Sequence, residues 1–130
     1  METPTAPASR MREPQDPHER ERRDAVRTTY VGSTLRLDVD DHGEAPRVAL
    51  AGELDLAAMR RLRTVLRDLR RRAPRRIEVD LERLSLIETV TAASLVRERE
   101  AARREGVELE LSGAGGTVRR LLELAQQRVR

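Results

Sequence analysis

The sequence predicts an α/β domain with a small mixed β-sheet and helices largely on one face of that sheet. Three short segments alternate apolar with polar residues, which is typical of half-buried strands, and a fourth is a short apolar run. Three longer segments repeat apolar residues every three or four positions, which is typical of amphipathic helices. Because the two kinds of segment alternate along most of the chain, they predict a layered α/β architecture.

The first two predicted strands form a hairpin. Leu35, Leu37 and Val39 alternate with charged residues, and a second apolar run follows over residues 48–51. The charged segment 40–44 between them contains a glycine and predicts a turn. We therefore expect the two strands to pair in antiparallel orientation.

The first predicted helix begins after Asp55, whose side chain is suited to N-capping, and ends at Pro74. One face of this helix carries apolar side chains, while arginines occupy the other face. The predicted buried stripe consists of Leu56, Met59, Leu62, Leu66 and Leu69.

The remaining elements are a third strand over residues 77–81, a second helix over 92–104, a fourth strand over 107–111 and a last helix over 118–125. Since helices separate the last three strands, right-handed crossovers are expected to connect them. Asp80 alternates with the apolar residues of the third strand. We expect it to face the opposite side and to accept hydrogen bonds from backbone N–H groups.

The N-terminal part of the chain differs from the rest in composition. Residues 1–29 contain four of the six prolines, six arginines and six carboxylates, with almost no large apolar side chain. Such a segment cannot bury enough apolar surface to offset the entropy lost on ordering. We predict that residues 1–29 are a disordered tail and that residues 34–128 form the folded domain.

Composition argues against several classes of function. The 26 basic residues are all arginine, cysteine is absent, and the only histidines are His18 and His42. Disulfides and thiolate metal sites are therefore ruled out, and a zinc site would need carboxylates alone. No Ser-His-Asp set can be assembled and no carboxylate pair stands out. We expect a protein that is not an enzyme and has no cofactor or metal.

Neither nucleic acid nor a membrane is an expected partner. The net charge is only +3, and Tyr30 is the single aromatic residue available for stacking on bases. The N-terminus lacks an apolar signal region, and no apolar run approaches the length of a membrane span. We expect a cytoplasmic location.

Three segments carry a resemblance to a known family. Residues 52–55 (Gly-Glu-Leu-Asp) open the first helix, residues 79–95 run from the third strand into the second helix, and residues 118–124 lie in the last helix. In their order and spacing they resemble the STAS domains of bacterial anti-sigma-factor antagonists. The resemblance covers roughly residues 35–124 and implies the same order of strands and helices.

The family has a phosphorylation motif at the turn before the second helix. The motif is of the type Asp-Ser-Ser-Gly, and a partner kinase phosphorylates its second serine. This chain has Glu88, Thr89, Val90 and Thr91 at the matching positions. Val90 therefore stands at the acceptor position and has no oxygen to phosphorylate.

Three explanations of this substitution stay open. The favoured hypothesis is that the switch is lost and the domain binds its partner constitutively. In the second, phosphorylation has moved to Thr89 or Thr91. In the third, Thr89 is only a helix N-cap and Thr91 is a solvated residue of the first turn.

The resemblance implies a function in regulatory protein–protein interaction. In the family, the unphosphorylated domain binds an ATP-dependent serine kinase that also sequesters a sigma factor. Carried over to this chain, the partner-binding residues are Asp55, Glu88, Thr89 and Thr91. From the residues alone, Asp55 is sufficiently explained as an N-cap and Glu88 as a complement to the helix dipole. The alternative function is a STAS-like ligand-sensing or transport-accessory module that binds a nucleotide or another protein subunit.

Overall fold

The computed structural model describes residues 26–31, 34–41 and 45–129. Within these residues there are five strands and three helices. The strands are β1 (Val26–Val31), β2 (Leu35–Asp40), β3 (Arg47–Leu54), β4 (Arg76–Ile87) and β5 (Glu108–Ser112). The helices are α1 (Leu56–Arg70), α2 (Thr89–Arg104) and α3 (Gly116–Val129).

All five strands belong to one mixed sheet, in the order β1-β2-β3-β4-β5. β2 pairs in antiparallel orientation with both β1 and β3, whereas β3, β4 and β5 run parallel to one another. Parallel neighbours require a long crossover, which α1 and α2 provide. The predicted hairpin and the predicted helical crossovers between the last three strands are therefore confirmed.

β1 is a strand that the sequence analysis does not predict. It pairs with the whole length of β2, from Val26 opposite Asp40 to Val31 opposite Leu35. The prediction of disorder is therefore wrong for residues 26–29, where β-branched residues favour a strand despite the polar tail before them. Residues 1–25 with His18, and turn residues 42–44 with His42, lie outside the described part of the chain.

The core lies between one face of the sheet and the helices. β4 shows the pattern, since Ile77, Val79 and Leu81 are fully buried while Glu78 and Asp80 between them are only partly buried. This alternation follows from the two-residue period of a strand. The face of the sheet with the buried side chains is therefore the one on which the helices pack.

Asp80 behaves as predicted. Its Oδ1 accepts a hydrogen bond of 2.9 Å from the backbone N–H of Glu82, and its Oδ2 accepts one of 2.6 Å from Arg47.

In α1, four of the five residues predicted to form the buried apolar face are buried, and one is exposed. Met59, Leu62, Leu66 and Leu69 are all buried. Leu56, by contrast, is 47% exposed, so its predicted burial is wrong. It is the first residue of the helix, and it lies where the chain has just left the end of β3.

An ion-pair network with a buried centre, Arg70 and Glu98, connects α1 to α2. Arg70 Nη1 lies 2.9 Å from Glu98 Oε1, and Arg70 Nε lies 2.9 Å from Glu105 Oε1. Glu98, only 7% exposed, also pairs with Arg63. Burial by itself lowers the pKa of Arg70, but the hydrogen bonds to Glu105 and Glu98 outweigh it and raise that pKa. The network holds α2 in place relative to α1.

Candidate partner-binding surface

The predicted site residues lie at the edge of the sheet where β3 and β4 end. Because these strands are parallel, their carboxyl ends meet at the same edge, and Leu54 pairs there with Ile87. α1 begins two residues beyond Leu54, and α2 begins two residues beyond Ile87. Two helix N-termini, each the positive end of a helix dipole, therefore lie at one edge of the sheet.

Asp55 is the N-cap of α1, as predicted. Its Oδ1 accepts a hydrogen bond of 2.9 Å from the backbone N–H of Ala58. This bond satisfies one of the N–H groups that a helix leaves unpaired in its first turn. Asp55 is only partly buried, so its carboxylate caps the helix and also remains accessible at the surface.

α2 begins three residues earlier than the helix predicted over 92–104, and its N-cap lies one residue before Thr89. Glu88 is the N-cap, its side chain makes no capping hydrogen bond, and Thr89 is the first helical residue. The interpretation of Thr89 as an N-cap is therefore wrong. Both side chains are exposed, and the carboxylate of Glu88 lies near the positive end of the α2 dipole.

Thr91 is buried rather than solvated, so that expectation is wrong. Its side chain is fully inaccessible, and its hydroxyl is 2.8 Å from the carbonyl oxygen of Glu88 and 3.1 Å from that of Leu54. Thr91 lies on the same face of α2 as the buried Leu95 and Glu98, four and seven residues further on. In the folded domain this hydroxyl ties the start of α2 to the end of β3 and does not face a partner.

We expect the substitution Thr91→Val to destabilise the domain by about 1–2 kcal/mol. Valine preserves the shape of the side chain but removes the donor that reaches Leu54 and Glu88. Urea unfolding followed by circular dichroism measures the loss. Thr91→Ser, which keeps the hydroxyl, is the matched control; a larger loss in the serine variant would contradict the assigned role of the hydrogen bonds.

Exposed apolar side chains lie at the same edge. Val90 is 54% exposed, Leu86 near the end of β4 is 48% exposed, and Leu56 at the start of α1 is 47% exposed. We call these three residues the apolar edge patch. Asp55 and Glu88 lie close to them in the chain and add two carboxylates at the same end of β3 and β4. Apolar residues rimmed by polar groups are typical of protein–protein interfaces.

The exposure of Leu56 and Leu86 is not predicted from the sequence. A signal for Leu86 was present, because Leu84, Leu86 and Ile87 are too closely spaced for all to follow the two-residue alternation of a strand. A bulge in the β3–β4 pairing, between Gly52 and Glu53, changes the register here. Ser85 then donates a hydrogen bond of 3.0 Å to the carbonyl oxygen of Gly52 and attaches the end of β4 to β3.

Other kinds of site are not found in the described residues. Across 26–31, 34–41 and 45–129, no group of three or more histidine, aspartate or glutamate side chains is placed to hold a metal ion. In the same ranges, no helix is both long and apolar enough to cross a membrane.

The strand order and the two helix N-termini at one end of the sheet define a small mixed α/β domain. The family model described as "Mlab, STAS domain" matches residues 37–127, which is most of the chain. The chain therefore belongs to the STAS domain family.

Solved structures share this fold. An anti-sigma factor antagonist from Mycobacterium paratuberculosis superposes with a TM-score of 0.63 at 19% sequence identity, over 78% of this chain and 86% of that one. The anti-sigma factor antagonist SpoIIAA in its unphosphorylated form superposes with a TM-score of 0.54 at 23% identity, over 78% and 80% of the two chains. These similarities confirm the predicted STAS-like α/β fold.

A third structure, described as Mglu, is a much longer protein. It superposes with a TM-score of 0.53 at 22% identity over 57% of this chain, which corresponds to only 18% of that one. No curated protein sequence matches this chain.

Proposed function

We propose that this STAS domain is a regulatory binding protein that acts on an anti-sigma factor of the ATP-binding serine-kinase type, and that it does so without a phosphoserine switch. The observation that carries the proposal is Val90, an exposed apolar residue at the position that matches the family's phosphate acceptor. The structural likeness to two anti-sigma factor antagonists supports the class of partner.

The proposed contact surface is the sheet edge around the apolar edge patch. Its members are Asp55, Leu56, Leu86, Glu88, Thr89 and Val90. Burying three half-exposed apolar side chains against a partner gives a favourable free energy, because each removes apolar surface from water. Thr91 is buried below this surface and stabilises it, since its hydroxyl lies within hydrogen-bond distance of the carbonyl oxygens of Leu54 at the end of β3 and Glu88 before α2.

Constitutive binding follows from the chemistry of the turn. A phosphate at the start of α2 is stabilised by free backbone N–H groups and the helix dipole, and its charge disrupts an apolar interface. Val90 cannot accept a phosphate, and the hydroxyl of Thr91 is inaccessible. Thr89 is the one exposed hydroxyl among the described residues of this turn. The domain acts by binding and not by catalysis.

The test is a titration of the full chain against the ATP-binding anti-sigma kinases of its host, with and without ATP, followed by intact-mass analysis. We expect one kinase to form a complex whose affinity is unchanged by ATP and in which this chain gains no phosphate. The matched variant Val90→Ser restores a hydroxyl at the acceptor position. We expect that variant to gain one phosphate and then to lose the complex.

Different results would refute the loss of the phosphorylation switch and the class of partner separately. A phosphate on Thr89 of the unmodified chain would refute the loss of the switch while leaving the partner class intact. Absence of a complex with any kinase would refute the partner class. Thermal stabilisation by a nucleotide alone would instead favour the ligand-sensing alternative.

A further inference from the structure

A groove of about 680 Å³ runs along the outer side of α2 and is flanked by the end of α3. It is lined by Thr89, Val90, Ala93, Arg97, Glu100 and Arg104 of α2 and by Arg128 of α3. We call this feature the α2 groove. Two of its residues, Thr89 and Val90, also belong to the sheet edge proposed above as a contact surface.

The α2 residues of the groove have the spacing of a helix-packing seam. Val90, Ala93, Arg97, Glu100 and Arg104 follow one another at intervals of three, four, three and four residues. Side chains at this spacing form a single stripe along a helix, and the same spacing brings two helices together in coiled coils. Val90, Arg97 and Arg104 are exposed, whereas Glu100 is half-buried and Ala93 is half-buried with one side against the core. The seam is therefore available to a helix from another protein.

The charges in the α2 groove are unevenly placed. Its apolar residues, Val90 and Ala93, lie in the first turns of α2, and Arg97 and Arg104 lie further along. Arg128 adds a third guanidinium from α3. With Glu100 as the single carboxylate, the lining has three positive charges and one negative charge.

These guanidinium groups are unpaired within the described part of the chain. The ion pairs found there involve other arginines, and Arg63 and Arg70 on the neighbouring α1 use the buried Glu98. Glu100, although one turn from both Arg97 and Arg104, pairs with neither. The positive charge of the groove is therefore free to attract carboxylates from a partner.

We propose that the α2 groove binds an acidic amphipathic helix of the partner protein. One or two apolar side chains of that helix pack on Val90 and Ala93. Carboxylates further along it pair with Arg97 and Arg104, which lie seven residues or about 10.5 Å apart along the axis of α2. Acidic residues seven positions apart on a helix packed alongside α2 match this distance. The inference rests on the proposed function, because it names the chemistry of the partner surface next to the same edge.

The composition of the groove favours a protein helix over a nucleic acid. A phosphate backbone requires a continuous cationic track, and base stacking requires aromatic side chains. Here Glu100 lies between the arginines of α2, and Val90 and Ala93 have no group that binds phosphate. The lining also contains no aromatic residue. A helix with an apolar end and an acidic end complements each part of the groove.

The first experiment compares two double variants in binding to the anti-sigma kinase that the unmodified chain binds. Arg97→Gln with Arg104→Gln removes two charges from the groove. Arg60→Gln with Arg61→Gln removes two charges from the exposed side of α1, outside the groove. We expect the groove variant to bind at least tenfold more weakly with a shallower dependence on salt, and the α1 variant to bind as the unmodified chain does. Equal binding by both variants would overturn the inference while the proposed function stands.

The second experiment uses a probe that does not depend on the kinase. A synthetic helical peptide carries leucine at two successive seam positions and glutamate at the next three, and a control peptide carries lysine in place of glutamate. We expect the acidic peptide to shift the backbone amide resonances of Val90, Arg97 and Arg104 in the full chain, and the basic peptide to leave them unchanged. Such binding without any kinase complex would support the groove and refute the kinase as partner. Failure of the acidic peptide to shift these resonances would overturn the inference.

Discussion

The substitution Gly52→Ala is expected to destabilise the domain by about 3 kcal/mol or more. Gly52 has a φ angle of +107°, a conformation in which any other residue is strained. In addition, a Cβ atom at this position would collide with the backbone carbonyl of Thr34. That carbonyl cannot easily move away, because it accepts a hydrogen bond of 2.9 Å from the N–H of Glu53.

Gly106→Ala is the matched control for this measurement. Gly106 also has a positive φ angle, +83°, but apart from its own chain neighbours no atom of the described residues lies within 4 Å of the place where a Cβ would stand. We therefore expect a loss of only about 1 kcal/mol, due to backbone strain alone. Urea unfolding by circular dichroism gives both values. If the two variants lost equal stability, the steric role of Thr34 would be refuted.

The substitution Val90→Asp is expected to weaken binding to the partner more than a hundredfold. Val90 lies in the apolar edge patch and is also the first seam residue of the α2 groove, so a partner at either site covers it. Placing a carboxylate there removes an apolar contact and leaves a charge in the interface, which together cost about 3 kcal/mol. The folded domain tolerates this variant, because an acidic residue near the start of α2 is favoured by the helix dipole.

The control is Val90→Thr, which keeps the shape of valine and adds a neutral hydroxyl. We expect this variant to bind within about tenfold of the unmodified chain, since an interfacial hydroxyl costs much less than a charge. Isothermal titration with the proposed partner kinase, with circular dichroism to verify folding, gives the comparison. Unimpaired binding by Val90→Asp would show that the partner contacts a different surface.

The sequence predicted most of the fold because the relevant signals are local. The two-residue alternation of Leu35, Leu37 and Val39 and the helical spacing of Met59, Leu62 and Leu66 each report which side of an element faces the core. β1 was missed because it directly follows a highly charged segment, which itself follows the proline-containing part of the tail. Its pairing with β2 supplies hydrogen bonds that no local pattern reveals.

For the candidate site, the sequence by itself determined two things. The cap at Asp55 depends on a hydrogen bond to Ala58, three residues away, and such short-range contacts can be recognised in a sequence. The absence of a hydroxyl at position 90 is a property of the side chain and holds in any fold.

Only the tertiary structure decided which neighbours of Val90 are exposed at the surface and which are buried. Thr91 is buried because its face of α2 packs toward the end of β3, where its hydroxyl lies 3.1 Å from the carbonyl oxygen of Leu54, 37 residues earlier in the chain. Leu86 is exposed where a bulge between Gly52 and Glu53 changes the β3–β4 register, and Leu56 is exposed where α1 begins just beyond the end of β3. Burial and exposure of this kind depend on contacts between distant segments, and a pattern of neighbouring residues does not contain them.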